Sequence, residues 1–267
     1  MGLKFVKMSG AGNDFVVADN RDGGFRPDRA NVTHICDRRF GVGADGLLLV
    51  EPSKSADFSM RYYNADGSEA EMCGNGARCI ARFYSERCDT TRRELKFETR
   101  AGLIEATVSG SHVRLTMSEP HDLQLHKKIQ LKGGSREYHF INTGVPHAVF
   151  FTDNADREMV QDVGAEVRHH KDFAPRGTNV DWVQPLGGGA IRVRTYERGV
   201  EAETLACGTG VVASGIVAHL VHGVPLPVKV TVQSGRVLEV NFSRENGRFG
   251  SVTLAGPAEY AFEGTLL

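Results

Sequence analysis

The chain has 267 residues, with 32 lysines and arginines against 33 aspartates and glutamates, so its formal net charge is −1. This balance leaves no excess of positive charge to neutralise phosphates, which argues against a nucleic-acid partner. No apolar run approaches the roughly 18 residues of a membrane span, and the first residues lack the apolar core of a signal peptide. Five cysteines in a chain of this length do not indicate a disulfide framework. We therefore expect a cytoplasmic protein with reduced thiols and no membrane partner.

Two similar segments lie half a chain apart, which indicates an internal duplication. Cys73 in EAEMCGNGAR and Cys207 in EAETLACGTGVV are separated by 134 residues, and Gly10 and Gly144 keep the same offset. We therefore predict two copies of one unit, at residues 1–118 and 119–262, with the tail 263–267 as a candidate addition to the first. The junction is expected within 119–136, a stretch that contains a proline, two adjacent lysines and two adjacent glycines.

Each half is predicted to consist mostly of strands around one principal helix. Segments that alternate apolar and polar residues, or have similar character, predict strands at 58–63, 103–108, 113–117, 191–195, 228–232 and 237–242. Helices are predicted after the two cysteines, at 76–84 and 211–220, and the second is apolar nearly all round, as in a buried helix. The pattern favours an α+β fold in which a sheet curls around a helix in each half.

Both cysteines precede a Gly-x-Gly segment at the predicted start of a helix. The first N–H groups of a helix lack internal partners and carry the positive end of its dipole, so they can bind a carboxylate and lower the pKa of a neighbouring thiol. Two such thiols suit a reaction in which one removes a proton from a carbon and the other returns a proton to the opposite face. The usual role of a free cysteine is that of a small buried hydrophobe, and we retain it for Cys36, Cys79 and Cys88.

Other motifs do not predict cofactor or metal sites. The segment GVGADG at 41–46 has the glycine spacing of a dinucleotide loop, but it precedes a strand-like run rather than a helix. The histidine pairs at 169–170 and 219–222 have no cysteine pair at zinc spacing, so we predict no metal site.

Five segments resemble the signature segments of the diaminopimelate epimerase family, in order and across the whole chain: KMSGAGNDFVV, YNADGSEAEMCGNGARC, TGVPHAV, GTNVDWV and RTYERGVEAETLACGTG. The resemblance implies two pseudo-symmetric domains, each a β-barrel-like sheet wrapped around a central helix, with the active site in the cleft between them. It implies cofactor-independent interconversion of L,L- and meso-diaminopimelate by two cysteines, without pyridoxal phosphate, for lysine and peptidoglycan precursors. It also implies a homodimer.

Site residues follow from the same resemblance, motif by motif. It implies that Cys73 and Cys207 are the acid/base pair and that His147 and Glu197 support catalysis. The substrate-binding residues that it implies are Asn13, Asn64, Gly74, Asn75, Asn179, Glu197, Arg198, Gly208 and Thr209. A guanidinium such as that of Arg198 suits a distal carboxylate because it can form two parallel hydrogen bonds. For each polar residue the alternative is a role in a turn, a helix cap or a surface pair.

Three departures from the family pattern concern the distal half of the substrate. Val145 occupies a position where many members have asparagine, and Gly46 one where glutamine is frequent. Glu197 and Cys207 are ten residues apart, where some members have nine. None of these differences involves the thiols.

Two alternative functions remain open. The first is a racemase of another amino acid, of the proline or histidine type, on the same fold, although proline racemases typically have histidine where this chain has Asn75. The second is a non-catalytic amino-acid-binding protein whose two special cysteines act as a thiol switch.

Overall fold

The computed structural model describes residues 2–266 and divides the chain into two units. The first unit runs to Thr116 and resumes at Ala255, and the second comprises Met117–Leu254. None of the helices within residues 2–266 has the length and apolar character that crossing a membrane requires.

Strands dominate both units. In chain order they are β1 (Lys4–Gly10), β2 (Asn13–Asp19), β3 (Gly46–Glu51), β4 (Phe58–Asn64), β5 (Glu69–Ala70), β6 (Glu94–Thr99), β7 (Gly102–Ser109), β8 (His112–Thr116), β9 (His121–Leu131), β10 (Gly134–Asn142), β11 (Pro146–Phe151), β12 (Asn179–Gly187), β13 (Ala190–Glu197), β14 (Ala202–Thr204), β15 (Val228–Thr231), β16 (Val237–Glu245), β17 (Arg248–Pro257) and β18 (Glu259–Thr265). The helices are α1 (Arg29–Cys36), α2 (Gly74–Phe83), α3 (Val160–Arg168) and α4 (Gly208–His222). A π-helical turn at Tyr84–Cys88 continues α2, and 3₁₀ turns lie at Ala155–Arg157 and Lys171–Phe173.

The first unit is a sheet that surrounds α2. β1 is antiparallel to β2, β2 is parallel to β3, β3 is antiparallel to β4, and β4 is parallel to β6. β7 and β8 continue the sheet in antiparallel fashion, and β18 pairs with the other edge of β1. The central helix contacts strands β1, β2, β3, β4, β7 and β8, and most of its residues are buried. The helix is thus enclosed by the sheet of its own unit.

The second unit repeats this sequence of pairings. β10 is antiparallel to β11, β11 is parallel to β12, β12 is antiparallel to β13, and β13 is parallel to β15. The short strands β5 and β14 pair with β4 and β13 in the same antiparallel way, and α4 contacts strands β10, β11, β12, β13, β15 and β16. The predicted α+β class and the duplicated domain with a central helix are therefore confirmed.

The sequence predicted the junction between the halves within 119–136, but the structure places it elsewhere. The boundary lies just before it, between Thr116 and Met117, and most of the stretch belongs to the β9–β10 hairpin. Ile129 and Leu131 are buried whereas the lysines around them are exposed, so the polar composition reflects the solvent side of a strand. The C-terminal return begins at Ala255 rather than at 263 because β18 pairs along nearly the whole of β1.

The central helices begin earlier than predicted, directly after the two cysteines. Gly74 and Gly208 are their first residues, whereas the sequence placed the starts at 76 and 211. The six predicted strands all form, and none of their bounds differs from the predicted one by more than three residues. The short helices α1 and α3, which precede the parallel strands β3 and β12, are additional to the one principal helix predicted for each half.

Candidate active site

Cys73 and Cys207 are the N-cap residues of the central helices α2 and α4. The backbone of Cys73 before α2 has φ −140° and ψ 122°, and that of Cys207 before α4 has φ −110° and ψ 112°. Each cysteine is therefore extended, and the helix turns only at the glycine that follows, Gly74 or Gly208. Neither cysteine is in a disulfide within residues 2–266; Cys73 is partly exposed and Cys207 is 7% exposed. In each unit this arrangement places a thiol beside the first backbone N–H groups of a helix, which have no partner within the helix itself.

In the first unit, two predicted substrate-binding amides are joined by hydrogen bonds. Asn75 Nδ2 donates to Asn13 Oδ1 at 2.7 Å, and Asn13 Nδ2 donates to Asp45 Oδ2 at 3.0 Å. Arg78 donates through Nη2 to Asn75 Oδ1 at 2.7 Å and is completely buried. The orientation of both amides is thus fixed by charged groups, Arg78 at one end and Asp45 at the other.

Arg78 is a buried cation in the second turn of the helix that begins beside Cys73. Burial lowers its pKa, while the neighbouring Cys79 and Cys73 act in the opposite direction. Its Nη1 also donates to the carbonyl of Gly74 at 3.4 Å. Sequence reasoning missed this residue, although a charged residue within the apolar run of α2 is a visible signal.

Asn64 lies apart from this network, at the end of β4. Its Nδ2 donates to Ser68 Oγ at 3.1 Å, and its backbone closes the turn that follows the strand. Gly46 pairs with Asn64 across the β3–β4 ladder, and a Cβ built on Gly46 would lie 2.7 Å from Tyr62 Cε2. The Tyr63 carbonyl oxygen would be nearer still, at 2.5 Å, so a side chain at position 46 would require the backbone as well as the Tyr62 ring to move.

In the second unit, a buried chain of side chains leads from Cys207 to a carboxylate. Cys207 Sγ is 3.4 Å from Thr209 Oγ1, which is 3.0 Å from His147 Nε2. His147 Nδ1 is 2.8 Å from Asp181 Oδ2, and the Thr195 hydroxyl donates to Asp181 Oδ1 at 2.7 Å. Both His147 and Asp181 have no exposed side-chain surface. Asp181 was not predicted; its signal is a single charge within the buried segment NVDWV.

Asn179 and Arg198 meet at the ends of neighbouring strands. Asn179 Oδ1 accepts the Arg198 backbone N–H at 2.8 Å, and its Nδ2 donates to the Pro146 carbonyl at 3.1 Å. Burial and the nearby cations Arg168 and Arg176 lower the pKa of Arg198. Within residues 2–266 its guanidinium forms no ion pair, and its one hydrogen bond is to the Arg176 carbonyl. Arg168 is itself paired with Glu201 at 3.1 Å, so Arg198 is the guanidinium group of this cluster that is suited to an anion.

The electrostatic surroundings of Cys207 differ from those that its helix start predicts. Burial raises its pKa well above the ordinary value, and the carboxylates of Glu197 and Asp181 raise it further. Hydrogen bonds donated to the sulfur, by the Gly210 backbone N–H or by the Thr209 hydroxyl when that group points toward it, act in the opposite direction but do not outweigh them. The expected lowering of the pKa is therefore wrong for Cys207, because desolvation and two carboxylates outweigh the hydrogen bonds that favour the thiolate. Burial also raises the pKa of Glu197.

The other cysteines are thiols of high pKa. Burial raises the pKa of Cys36 to about 11 and that of Cys79 to about 12, and both side chains are buried as expected. Cys88 is only partly buried and lies 3.6 Å from Asp19 Oδ2. The simple core role is thus wrong for Cys88, since the π-helical turn brings its thiol to a surface carboxylate.

One set of side chains within the described residues has the composition of a metal site. His126, Glu137 and His139, on the β9–β10 hairpin, bring their ligand atoms within 4.8 Å of one another. His139 Nδ1 accepts the backbone N–H of His126 at 3.2 Å, and burial lowers the pKa of His139 to about 4. The neutral ring therefore carries its hydrogen on Nε2, the nitrogen that lies 3.9 Å from Glu137 Oε1.

Comparison with known proteins identifies the family. The sequence profile of the family described as "Diaminopimelate epimerase" matches residues 5–121 and 139–260. The diaminopimelate epimerase of Chlorobaculum tepidum is 43% identical over 262 residues, covering 97% of this chain and 99% of the relative. That of Aquifex aeolicus is 42% identical over 277 residues, covering 99% and 98%.

Solved structures of low sequence identity share the fold. A phenazine biosynthesis protein of the PhzF family from Bacillus anthracis superposes with a TM-score of 0.77 at 16% identity, covering 100% of this chain and 99% of its own. A hydroxyproline epimerase from Agrobacterium vitis gives 0.69 at 18% identity, covering 99% and 90%. At these identities the likeness concerns the fold alone. The full-length similarity to the curated relatives is decisive: the chain belongs to the diaminopimelate epimerase family and is an isomerase.

Proposed function

We propose that this chain interconverts L,L- and meso-diaminopimelate by a two-cysteine acid/base mechanism that uses no pyridoxal phosphate. The observation that carries the proposal is the equivalent position of Cys73 and Cys207, each the N-cap of the central helix of its unit. One thiolate removes the α-proton, and the other cysteine, as a thiol, donates a proton to the opposite face of the same carbon. Family membership makes diaminopimelate the first substrate to test.

The helix starts supply the groups that stabilise the carbanion. Removal of an α-proton moves negative charge onto the substrate carboxylate, so donors aimed at that carboxylate favour the transition state. The backbone N–H groups of Gly74 and Asn75, and of Gly208 and Thr209, are the donors that we assign to it. The positive ends of α2 and α4 act in the same direction.

Arg198 is the group we assign to the distal carboxylate. It lies among other guanidinium groups and forms no ion pair within residues 2–266, so a substrate carboxylate would fill an open pairing position. Asn179 supports it by accepting the Arg198 backbone N–H. We assign Asn13 and Asn64 to the same distal half, and Glu197 to the substrate ammonium. A second charged centre on the substrate distinguishes diaminopimelate from proline.

Unequal surroundings assign different starting roles to the two thiols. Burial, Glu197 and Asp181 together favour the protonated form of Cys207. Cys73, in contrast, interacts with a buried cation, because Arg78 lies in the second turn of the helix that begins after it. A positive charge favours the thiolate form. We therefore propose that Cys73 is the base toward L,L-diaminopimelate and Cys207 the acid, with roles exchanged in the reverse direction. Further proposals are a homodimer in the cytoplasm and a role in lysine and peptidoglycan precursor synthesis.

The deciding experiment is incubation of the reduced protein with L,L-diaminopimelate in deuterium oxide, without added pyridoxal phosphate. We expect formation of the meso isomer with deuterium at one α-carbon. Chiral chromatography measures the isomers, and mass spectrometry measures the deuterium. L-Proline and L-histidine serve as comparison substrates under the same conditions. Exchange with either of these, and none with diaminopimelate, would assign the chain to another amino acid. Absence of exchange with all three would favour the non-catalytic thiol switch.

A further inference from the structure

Asp181 is a fully buried carboxylate to which the family resemblance assigned no role. It lies on β12, where His147 Nδ1 is 2.8 Å from its Oδ2 and the Thr195 hydroxyl donates to its Oδ1 at 2.7 Å. It also lies directly against the first turn of α4, where a Cβ built on Gly210 would be 2.5 Å from Asp181 Oδ1. A carboxylate with no exposed surface needs such donors, since an unpaired buried charge is strongly unfavourable.

The partners of His147 define its tautomer. The ionised carboxylate of Asp181 can only accept, so the hydrogen of the neutral ring is on Nδ1 and Nε2 is an acceptor. The second side of the ring supports the same assignment. Asn179 Nδ2 is 3.5 Å from His147 Nε2, and this amide group has a fixed orientation because Asn179 Oδ1 accepts the Arg198 N–H. An amide N–H donor therefore faces Nε2.

This tautomer sets the direction of the whole chain of hydrogen bonds. With Nε2 as acceptor, the Thr209 hydroxyl donates to His147 at 3.0 Å. The Thr209 oxygen is then left to accept from the S–H of Cys207, 3.4 Å away. Cys207 thus donates to Thr209, Thr209 donates to His147, and His147 donates to Asp181. In this arrangement the Cys207 sulfur carries its hydrogen and acts as a hydrogen-bond donor.

We propose that Asp181 is a positioning residue, which fixes the Nδ1–H tautomer of His147 and thereby aligns Cys207 as a thiol through Thr209. This inference rests on the proposed function, because a thiol at Cys207 matters only if that cysteine delivers a proton to substrate. Asp181 itself touches neither substrate nor the reacting sulfur.

The Asp181→Asn variant tests the direction of the chain while preserving the size of the side chain. The Thr195 hydroxyl keeps its acceptor, the asparagine oxygen, so the new NH2 group faces His147 Nδ1. The ring hydrogen moves to Nε2, where it opposes the Asn179 NH2 group and turns the Thr209 hydroxyl toward Cys207. We expect kcat to fall about 100-fold or more, as when the tautomer of a catalytic histidine is reversed, while KM changes less than about threefold.

Ring-nitrogen NMR of 15N-histidine-labelled protein measures the tautomer directly, with His147→Gln identifying the signal. The wild type is expected to show the Nδ1–H form at His147, and Asp181→Asn the Nε2–H form. Thr195→Val is the matched control, because it removes the other hydrogen bond to Asp181 but leaves the charge. It should retain the Nδ1–H form and a kcat within about threefold of wild type, and thermal unfolding of all variants reports their stability.

The outcomes separate this inference from the proposed function. If the wild type does not epimerise diaminopimelate, the proposed function fails, and the NMR spectra alone then decide whether Asp181 fixes the ring. An active wild type with an Nε2–H or doubly protonated His147 would overturn the inference, even if Asp181→Asn does not fold. So would an unchanged tautomer or an unchanged kcat in Asp181→Asn.

Discussion

Arg78 donates to Asn75 Oδ1 at 2.7 Å from a completely buried position, and Asn75 in turn donates to Asn13 at the same distance. The guanidinium thus fixes which side of the Asn75 amide faces Asn13. An asparagine amide otherwise flips between two orientations of similar size. The buried cation also places positive charge near the site to which we assign the reacting carboxylate. Arg78 therefore fixes the hydrogen bond between Asn75, at the start of α2, and Asn13, at the start of β2.

Replacing Arg78 by methionine is expected to weaken both substrate binding and the fold. The variant keeps an unbranched apolar side chain but leaves Asn75 Oδ1 without its donor, which costs about 1–3 kcal/mol of unfolding free energy. We expect KM for L,L-diaminopimelate to rise about tenfold, in steady-state assays. Arg82→Met is the control, since Arg82 lies on the same helix but pairs with Glu86 and the Ala258 carbonyl. Equal KM values in the two variants would contradict the role of Arg78.

Each special cysteine is expected to be essential, whereas Cys88 is not. Cys73→Ala and Cys207→Ala should lower epimerisation by at least about 10³-fold, because no other side chain supplies the missing acid or base. Cys88→Ala is the matched control, because its thiol lies beside the surface carboxylate of Asp19, and it should leave turnover unchanged. Chiral chromatography of the products gives the rates. Wild-type turnover in either of the first two variants would remove that residue from the mechanism.

The pH profile of kcat/KM from L,L-diaminopimelate is expected to be bell-shaped, with its alkaline limb set by Cys207. Since burial, Glu197 and Asp181 raise the pKa of this thiol, the limb should lie above the ordinary cysteine value of 9.0. Glu197→Gln removes one negative charge, which lowers the pKa of Cys207 and moves the limb of the residual activity to lower pH. Glu158→Gln, which alters a carboxylate paired with Arg136, should leave the limb in place. A limb unmoved by Glu197→Gln would contradict this assignment.

The central helices and their cysteines were predictable because their signals are local. An apolar run that follows Cys-Gly-x-Gly indicates both a buried helix and an accessible helix start, and duplication makes the second copy evidence for the first. The β9–β10 hairpin was not predictable in the same way. Its strands face solvent on one side, so their lysines and glycines resemble a linker until the pairing of Leu131 with Gly134 is known.

Asp181 and Arg78 could not be assigned from the sequence, because their importance comes from burial and from partners distant in the chain. Asp181 meets His147 across 34 residues, and no local pattern encodes that distance. Both nevertheless interrupt runs that are otherwise buried. The same limitation explains the error about Cys207, since its helix start is a local feature but the carboxylates that raise its pKa come from other strands.

Asp14, next to the predicted substrate-binding Asn13, is expected to stabilise the first unit in a pH-dependent manner. Burial disfavours its charge, but hydrogen bonds from Arg38 and Lys7 prevail and hold its pKa well below the ordinary value of 3.8. Its contribution is therefore full above the unfolded pKa and is lost as the pH falls through the folded one. Asp14→Asn leaves Lys7, 9% exposed at the side chain, without its carboxylate, and should cost about 3 kcal/mol of unfolding free energy at pH 7.

Denaturant unfolding measured from pH 7 down to pH 3 checks this expectation. The difference between wild type and Asp14→Asn should shrink below about pH 4, the unfolded pKa of aspartate, because Asp14 then begins to protonate in the unfolded wild-type chain while it stays ionised in the folded one. Asp19→Asn is the control, as its pair with Arg21 is more than a third exposed on both sides, and it should cost less than about 1 kcal/mol. Equal losses in the two variants would show that burial of Lys7 does not matter.

Gly210 in the first turn of α4 is expected to tolerate no side chain without loss of activity. A Cβ there would lie 2.5 Å from Asp181 Oδ1 and 3.3 Å from His147 Cε1, so Gly210→Ala must displace the carboxylate or the ring. We expect kcat to fall by at least tenfold, since small shifts of catalytic groups are costly, with an accompanying loss of stability from overpacking of about 1–3 kcal/mol. Gly133→Ala, where a Cβ meets nothing within 4 Å, is the control and should change neither property. Normal turnover in Gly210→Ala would mean that His147 does not depend on its position against this helix.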